Sequence, residues 1–434
     1  MARQVRDEFL HAWNGYKRFA FGYDQVMPIS EKPNNFFFED RSVGLSIVEA
    51  LDTLYVMGLD DELRIGLDWI HANLNFDIDE NDFGIFEGII RLVGGLLAGY
   101  LAVRDVRLLQ LAQDLADRIM PVFEKSPTGI PYGRVNLATG AVSSADTVLA
   151  EAGTNLLEFG TLSRLTGNPR YYRAAKRAQR AVFDRRSSLD LLGTTINVET
   201  GQWTDPTDEA VNPPTDSFYE YLWGGYALFG DLECLRFYRT LSAALGRYVA
   251  ERYDGLLWYR QVDFRTGALL GRRQSELASF WAELVSAGGD PATGESYYRS
   301  WTTVLERYRV LPEEIDYTTL AATSVSNQFR PEYVNSSFDL YWQTGDAAYE
   351  ETAYAYFAGL RDNARTRHGY TIIDDVTTTP MLQGDLFPAY GFAENFKYLY
   401  LIFARTPRFD TRSFFLSTEG KVLRGLRPDP RFRP

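Results

Sequence analysis

Cysteine and histidine are almost missing from this 434-residue chain. The single cysteine, Cys234, excludes an internal disulfide, a cysteine-based zinc site and an iron–sulfur cluster. Three histidines, His11, His71 and His368, are too few for a mechanism built on a histidine cluster. Positive charge is also in short supply: Lys+Arg total 45 against 58 Asp+Glu, a net charge of −13. That balance argues against nucleic acid as the main partner, because phosphate binding needs a basic face. Long apolar runs are absent too. The longest, Leu92 to Val103, is about a dozen residues between Arg91 and Arg104, too short for a membrane span. The charged, helix-like residues after Met1 do not read as a signal peptide, which leaves the compartment open: cytoplasmic, or secreted or periplasmic with a leader removed. No Pro/Ser-rich linker or low-complexity tract interrupts residues 1–434, so a single domain is expected, and no protein partner is predicted.

Carboxylates and aromatic rings are what the chain has in abundance. Aromatics make up 15% of it, with 27 Tyr, 28 Phe and 8 Trp. Aromatic walls with polar tips suit sugars, although a Phe- and Tyr-rich helical core accounts for the same composition. A pattern also recurs: an apolar helix, a short turn with Gly or Asp, then an amphipathic helix. Ile47–Met57 leads through Gly58 to Asp60–His71, and Leu92–Val103 through Arg104-Asp105 to Leu108–Phe123. Leu156–Leu165, Phe218–Phe229, Phe280–Ser286 and Val334–Gln343 open further pairs, and Phe396–Phe403 starts a last, truncated copy. About seven hairpins at such spacing are the mark of repeated units that stack or close into a ring. Apolar first helices and amphipathic second helices predict an all-α, (α/α) barrel with two concentric layers. A linear solenoid, the competing arrangement, would need a more polar concave face.

Single acids interrupt the apolar helices. Glu87 and Arg91 lie four residues apart, Glu151 and Glu158 share one segment, and Asp216 and Glu220 share another. Glu332 and Glu394 each stand at the mouth of an apolar helix. An unpaired buried carboxylate costs several kcal/mol or shifts its pKa, so repetition calls for compensation. One such pair, Glu87–Arg91, reads equally as an i,i+4 ion pair. Acids recurring in five different hairpins point instead to a convergent acidic pocket, suited to glycosidic hydrolysis by paired carboxylates or to oxygen coordination of a cation such as Ca²⁺.

The order and spacing of several blocks carry a resemblance. They include Ala12-Trp13 with Gly15-Tyr16, Glu49 to Tyr55, Phe86-Glu87 through Arg91 to Leu97, Thr128 to Tyr132, and Leu157-Glu158-Phe159. Asp216 to Leu222, Arg330-Pro331-Glu332, Ala393-Glu394, Lys397 to Leu401 and Thr418-Glu419 follow. The chain resembles glycoside hydrolase family 47, the class I α-1,2-mannosidases, over nearly its whole length. The resemblance implies an (α/α)₇ barrel and an inverting exo-α-1,2-mannosidase with one Ca²⁺ at the barrel floor. It implies Glu87 as general acid, Asp216 as a second acid, Glu332 as base and Thr418 as the calcium ligand. Arg91, Glu151, Arg330, Tyr390, Glu394 and Glu419 match residues around the sugar, with Glu332, Glu394 and Glu419 also holding the ion's waters.

Some positions depart from the family pattern. Asn335 stands for a glutamate, Pro214 for an arginine that touches the leaving sugar, and Tyr390 for a phenylalanine. Glu276-Leu277-Ala278-Ser279-Phe280 replaces a His-Leu-x-Cys-Phe block and is closer to the degradation-enhancing mannosidase-like subgroup. Two other readings therefore stand beside the hydrolase. A silent mannose-glycan-binding protein would tolerate Asn335 and Pro214, and a barrel epimerase would need more histidine than this chain has. His368 reads as a loop residue and Cys234 as a small packed one.

Overall fold

The hairpin turns obey simple chemistry. Helix Asp216–Phe229 stops at Gly230, whose φ of 74° a side chain would resist, and Asp231 caps the next helix, Leu232–Ala244, by accepting from the Glu233 and Cys234 N–H groups. Gly345 (φ 73°) and Asp346 repeat the device between Glu332–Thr344 and Ala347–Ala364. Asp105 and Asp290 cap Val106–Ile119 and Pro291–Tyr308 in the same way.

The computed structural model describes residues 1–429 and Arg431. It divides into two compact units. One comprises Met1–Leu74, Arg252–Trp258 and Arg273–Arg412; the other comprises Asn75–Glu251, Tyr259–Arg272 and the segment from Ser413 on. In the first, four helix pairs pack: Leu45–Val56 with Asp60–Asn73, Trp281–Ala287 with Pro291–Tyr308, Glu332–Thr344 with Ala347–Ala364, and Asn395–Phe403 with Ala2–Phe19. In the second there are three: Gly94–Val103 with Val106–Ile119, Leu156–Thr166 with Arg170–Phe183, and Asp216–Phe229 with Leu232–Ala244. The copy expected to be truncated is thus completed by the N-terminal helix. The Phe9 and Phe396 rings meet edge-on at 5.8 Å, and Phe9 also meets Phe392 at 5.6 Å.

The first helix of a pair is buried nearly all round, as its sequence predicts. Every residue of Leu45–Val56 is buried, including Glu49 and Asp52. Second helices show a charged face, and Arg170–Phe183 carries five cations and no acid. Cys234 is indeed packed, with the Lys176 Nζ 2.7 Å from its sulfur. His368 sits in a turn, its Nε2 3.1 Å from Glu31.

One expectation needs correction. The apolar run does not start at Leu92: one helical stretch, Ile85–Val103, passes through Arg91 and is long and apolar enough by composition to cross a membrane. Of its apolar window, 78% is buried inside the protein, which is how a core helix behaves. The all-α class holds, with short strands added to it. Short strands of two to four residues pair into small antiparallel sheets between the helices, such as Phe83–Gly84 with Arg134–Val135 and Val142–Ser143. They are too short for an alternating pattern to announce them.

Asp208, fully buried in the second unit, accepts from the Ala210 N–H at 2.7 Å and the Leu192 N–H at 3.3 Å. Burial pushes its carboxyl up to about 7 despite those bonds. A raised carboxyl pKa means the folded protein keeps a proton that the unfolded chain has already released. Stability contributed by this group therefore falls as pH rises from about 4 to about 7, by up to about 1.4 kcal/mol per pH unit. Urea unfolding of Asp208→Asn across that range should show a shallower fall than the parent; an unchanged slope would remove Asp208 as its source.

Candidate active site

In the second unit two acids, Glu87 and Glu419, meet on one cation, Arg91. Ile85–Glu87 is a single helical turn, followed by a π-helical turn, Gly88–Val93, that carries Arg91. Insertions of this kind re-aim side chains and are frequent at functional sites. Arg91 Nε donates to Glu87, and its Nη1 donates to Glu419 at 2.5 Å. The local i,i+4 pair is therefore present, and it continues to a residue 328 positions away. Arg91 and Glu419 are almost fully buried, whereas the Glu87 side chain keeps 31% of its surface exposed. The most exposed member of the chain is the one cast as acid.

Glu151 stands close enough for its charge and that of Glu87 to repel. Its carboxyl is raised, chiefly by burial, with Arg134 and the Thr147 hydroxyl opposing. Asp216 is the first residue of helix Asp216–Phe229, where the positive end of the helix favours a carboxylate. The preceding loop is fixed by Thr215, whose hydroxyl donates to the Ala210 and Asn212 carbonyls, and by Ala150 N–H on Pro214 O. Tyr221, on the same helix, donates to Glu158 at 2.7 Å.

The first unit gathers a separate set. Glu332 is the first residue of Glu332–Thr344, behind Pro331. Arg330 Nε reaches both oxygens of Glu313 at 3.1 and 3.2 Å, and the Arg330 guanidinium lies 5.9 Å from the centre of the Tyr390 ring. Tyr390 donates its hydroxyl to Gln328 O. Here the hydroxyl that distinguishes Tyr from Phe has a use: it ties the ring to the segment that carries Arg330. Glu394 is buried at the junction of Tyr390–Ala393 and Asn395–Phe403, its N–H on Tyr390 O at 2.8 Å.

Sequence reasoning missed two members. Glu276 was legible only as a departure from a motif, and Glu313 had no signal at all. Glu276 is fully buried and pushed well above the usual carboxylate range by burial first, then by the charges of Glu313 and Glu332. Burial and the two neighbouring carboxylates thus both favour its neutral form over its charged one. One of its oxygens accepts from Asn327 at 2.8 Å. Asn335 also has a local explanation: its amide donates to Asp339 at 2.9 Å.

The family model for glycosyl hydrolase family 47 matches residues 8–425. The chain belongs to that family. It is 34% identical to an alpha-mannosidase I of Arabidopsis thaliana, over 98% of this chain and 77% of the relative. It is 30% identical to mannosyl-oligosaccharide alpha-1,2-mannosidase IA of Drosophila melanogaster, over 97% of this chain and 67% of the relative. Among solved structures, an alpha-1,2-mannosidase from Trichoderma reesei superposes with a TM-score of 0.88 at 24% identity, covering 98% of this chain and 99% of that one. This family 47 chain is a glycoside hydrolase, and its fold is the all-α (α/α)₇ barrel.

A family 47 cation would have to be held by oxygen alone. Thr418 and Glu419 form the tip of the hairpin between Phe415–Leu416 and Val422–Arg424, closed by Gly420 N–H on Ser417 O at 2.8 Å. Among the described residues, neither the hydroxyl nor the carbonyl of Thr418 has a hydrogen-bond partner. Glu158 lies nearby in charge: fully buried, one oxygen unbonded, and pushed up to about 8 by burial first, with the Tyr221 bond opposing and Glu419 adding. The two unclaimed oxygens of Thr418, next in the chain to the Glu419 carboxylate, fit a hard cation. Among the described residues no group of three or more His, Cys, Asp or Glu forms a ligand cage. The direct protein contacts would then be those of Thr418, with carboxylates bonding the ion's water.

Proposed function

We propose that residues 1–434 act as one catalytic domain that removes terminal α-1,2-linked mannose, exo-acting, inverting and dependent on Ca²⁺. The observation that carries this reading is the Glu87–Arg91–Glu419 chain ending beside the open oxygens of Thr418, in a chain of this family. Glu87 is the proton donor. Its Oε2 is held by Arg91, and its Oε1 has no hydrogen bond among the described residues, which leaves that oxygen for the glycosidic oxygen. Asp216 is the second acid.

Glu332 is the base. It takes a proton from water as the water oxygen bonds to the anomeric carbon, while the bond to the leaving oxygen breaks and that oxygen takes the proton from Glu87. Attack on the opposite face inverts the centre and gives β-mannose. Arg91, Glu151, Arg330, Glu394 and Glu419 present charged hydrogen-bond partners to sugar hydroxyls, and the fixed Tyr390 ring offers an apolar face. The chemistry that Ca²⁺ supplies when bound is the ordering of hydroxyls and water on Thr418.

Hydrolysis of α-1,2-mannobiose followed by NMR tests this directly. The first product should be β-mannose, and release should stop on chelation and return with Ca²⁺. α-Mannose as first product would overturn inversion, and undiminished turnover in chelator would overturn metal dependence. Mannose binding without turnover would favour a glycan-binding protein.

Asn335→Glu, the change that restores the family residue, should not improve this enzyme. Burial holds the Asp339 carboxyl up at about 7, and the Asn335 amide works against that. A second carboxylate there removes a donor and adds repulsion, so the variant should lose about 1–3 kcal/mol with no gain in calcium affinity. Thermal melts with and without Ca²⁺ read both. Unchanged stability and tighter calcium would refute the local account of Asn335.

A further inference from the structure

Helix Arg170–Phe183 holds five cations, and three of them find carboxylates. Arg170 pairs with Glu124 at 2.8 Å and Asp117 at 3.4 Å, Lys176 with Asp231 at 2.8 Å, and Arg180 with Glu233 at 2.7 Å. Arg173 and Arg177 have no hydrogen-bond or ion-pair partner among the described residues. They are i,i+4 neighbours, a spacing at which like charges repel. Leaving them unpaired is notable in a chain with 58 acids.

Both line one cavity of about 560 Å³, whose rim is the segment Ser126–Gly129. Arg170, at i−3 from Arg173, lines it as well, so three guanidiniums share one face. The wall opposite is built, not loose. Thr128 donates its hydroxyl to Val198 O at 2.6 Å, and the Gly129 N–H donates to Ser126 Oγ at 3.1 Å. The Arg177 stem lies against Gly129, where an added Cβ would come within 3.0 Å of its Cγ. The absence of a side chain at Gly129 is what lets the Arg177 stem lie along this rim. Glu124 is the single acid of the lining and is neutralised by Arg170.

We propose that this cavity binds a phosphate group, carried by a sugar phosphate or free in solution, between the Arg173 and Arg177 guanidiniums. Planar guanidinium forks match phosphate oxygens two at a time. The cavity also has room for a sugar ring. The site stands apart from the mannosidase reading and survives its failure.

Titration calorimetry of the whole chain with ribose 5-phosphate, inorganic phosphate and ribose tests it. Ribose 5-phosphate and phosphate should bind, more weakly as salt is raised, and ribose should not. The exposed pair Arg173→Gln/Arg177→Gln should fold normally and weaken phosphate binding at least tenfold. Arg180→Gln, on the same helix but off the cavity, should bind as the parent does. Tighter binding of ribose 5-phosphate than of phosphate assigns the sugar phosphate; equal binding assigns the free ion. No phosphate binding, or equal loss in the double variant and in Arg180→Gln, would overturn the proposal.

Discussion

Glu87→Gln should lower kcat on α-1,2-mannobiose by on the order of 10²–10⁴, the usual worth of a positioned general acid. The amide keeps the size of the side chain and one acceptor for Arg91, so the helix turn at Ile85–Glu87 stays in place. What it loses is the proton. The same variant should therefore recover most of its rate on an aryl mannoside whose leaving group needs no proton. Glu332→Gln should lose a comparable factor on both substrates, because the missing function lies on water and not on the leaving group. Asp216→Asn separates the two acid assignments. If Asp216 and not Glu87 protonates the glycosidic oxygen, the substrate-dependent recovery will appear in Asp216→Asn and be missing from Glu87→Gln. Steady-state rates for three variants on two substrates decide it, with circular dichroism as the folding control.

The features that could be read in the sequence are the locally encoded ones. Gly230-Asp231 and Gly345-Asp346 end one helix and cap the next within two residues, so the hairpins announce themselves. The partner of Asn395–Phe403 could not be read, because Ala2–Phe19 lies at the other end of the chain and nothing local says where it packs. Arg91 misled for a related reason. A charge in an apolar run looks like a boundary until its partners are known, and Glu419 is supplied from 328 residues away. The acids Glu87, Asp216 and Glu332 were visible as isolated charges among apolar residues. Glu313 was not, since it precedes a short strand, Glu314–Asp316, with no pattern to break. Its pairing with Arg330 is a product of the fold.

The largest stability effect should come from a pair far less exposed than any of these. Lys397 Nζ lies 2.8 Å from Asp52 Oδ1, with side-chain exposures of 0% and 1%. Both helices that carry them, Asn395–Phe403 and Leu45–Val56, are almost entirely buried, so neither charge can reach water by rotating. Two ions at such a depth forfeit hydration that their mutual attraction barely restores. The pair is thus a weak source of net stability and a strong liability when broken. Lys397→Met should destabilise the protein by about 3–5 kcal/mol, because it removes the cation 2.8 Å from a carboxylate that is 1% exposed. A double variant, Lys397→Met with Asp52→Leu, should regain most of that loss, since an apolar pair of similar volume pays no desolvation. Denaturant midpoints of the two variants and the parent give the comparison. A single variant as stable as the parent, or a double variant no better than the single, would show that the ion pair is not what holds these two helices in register.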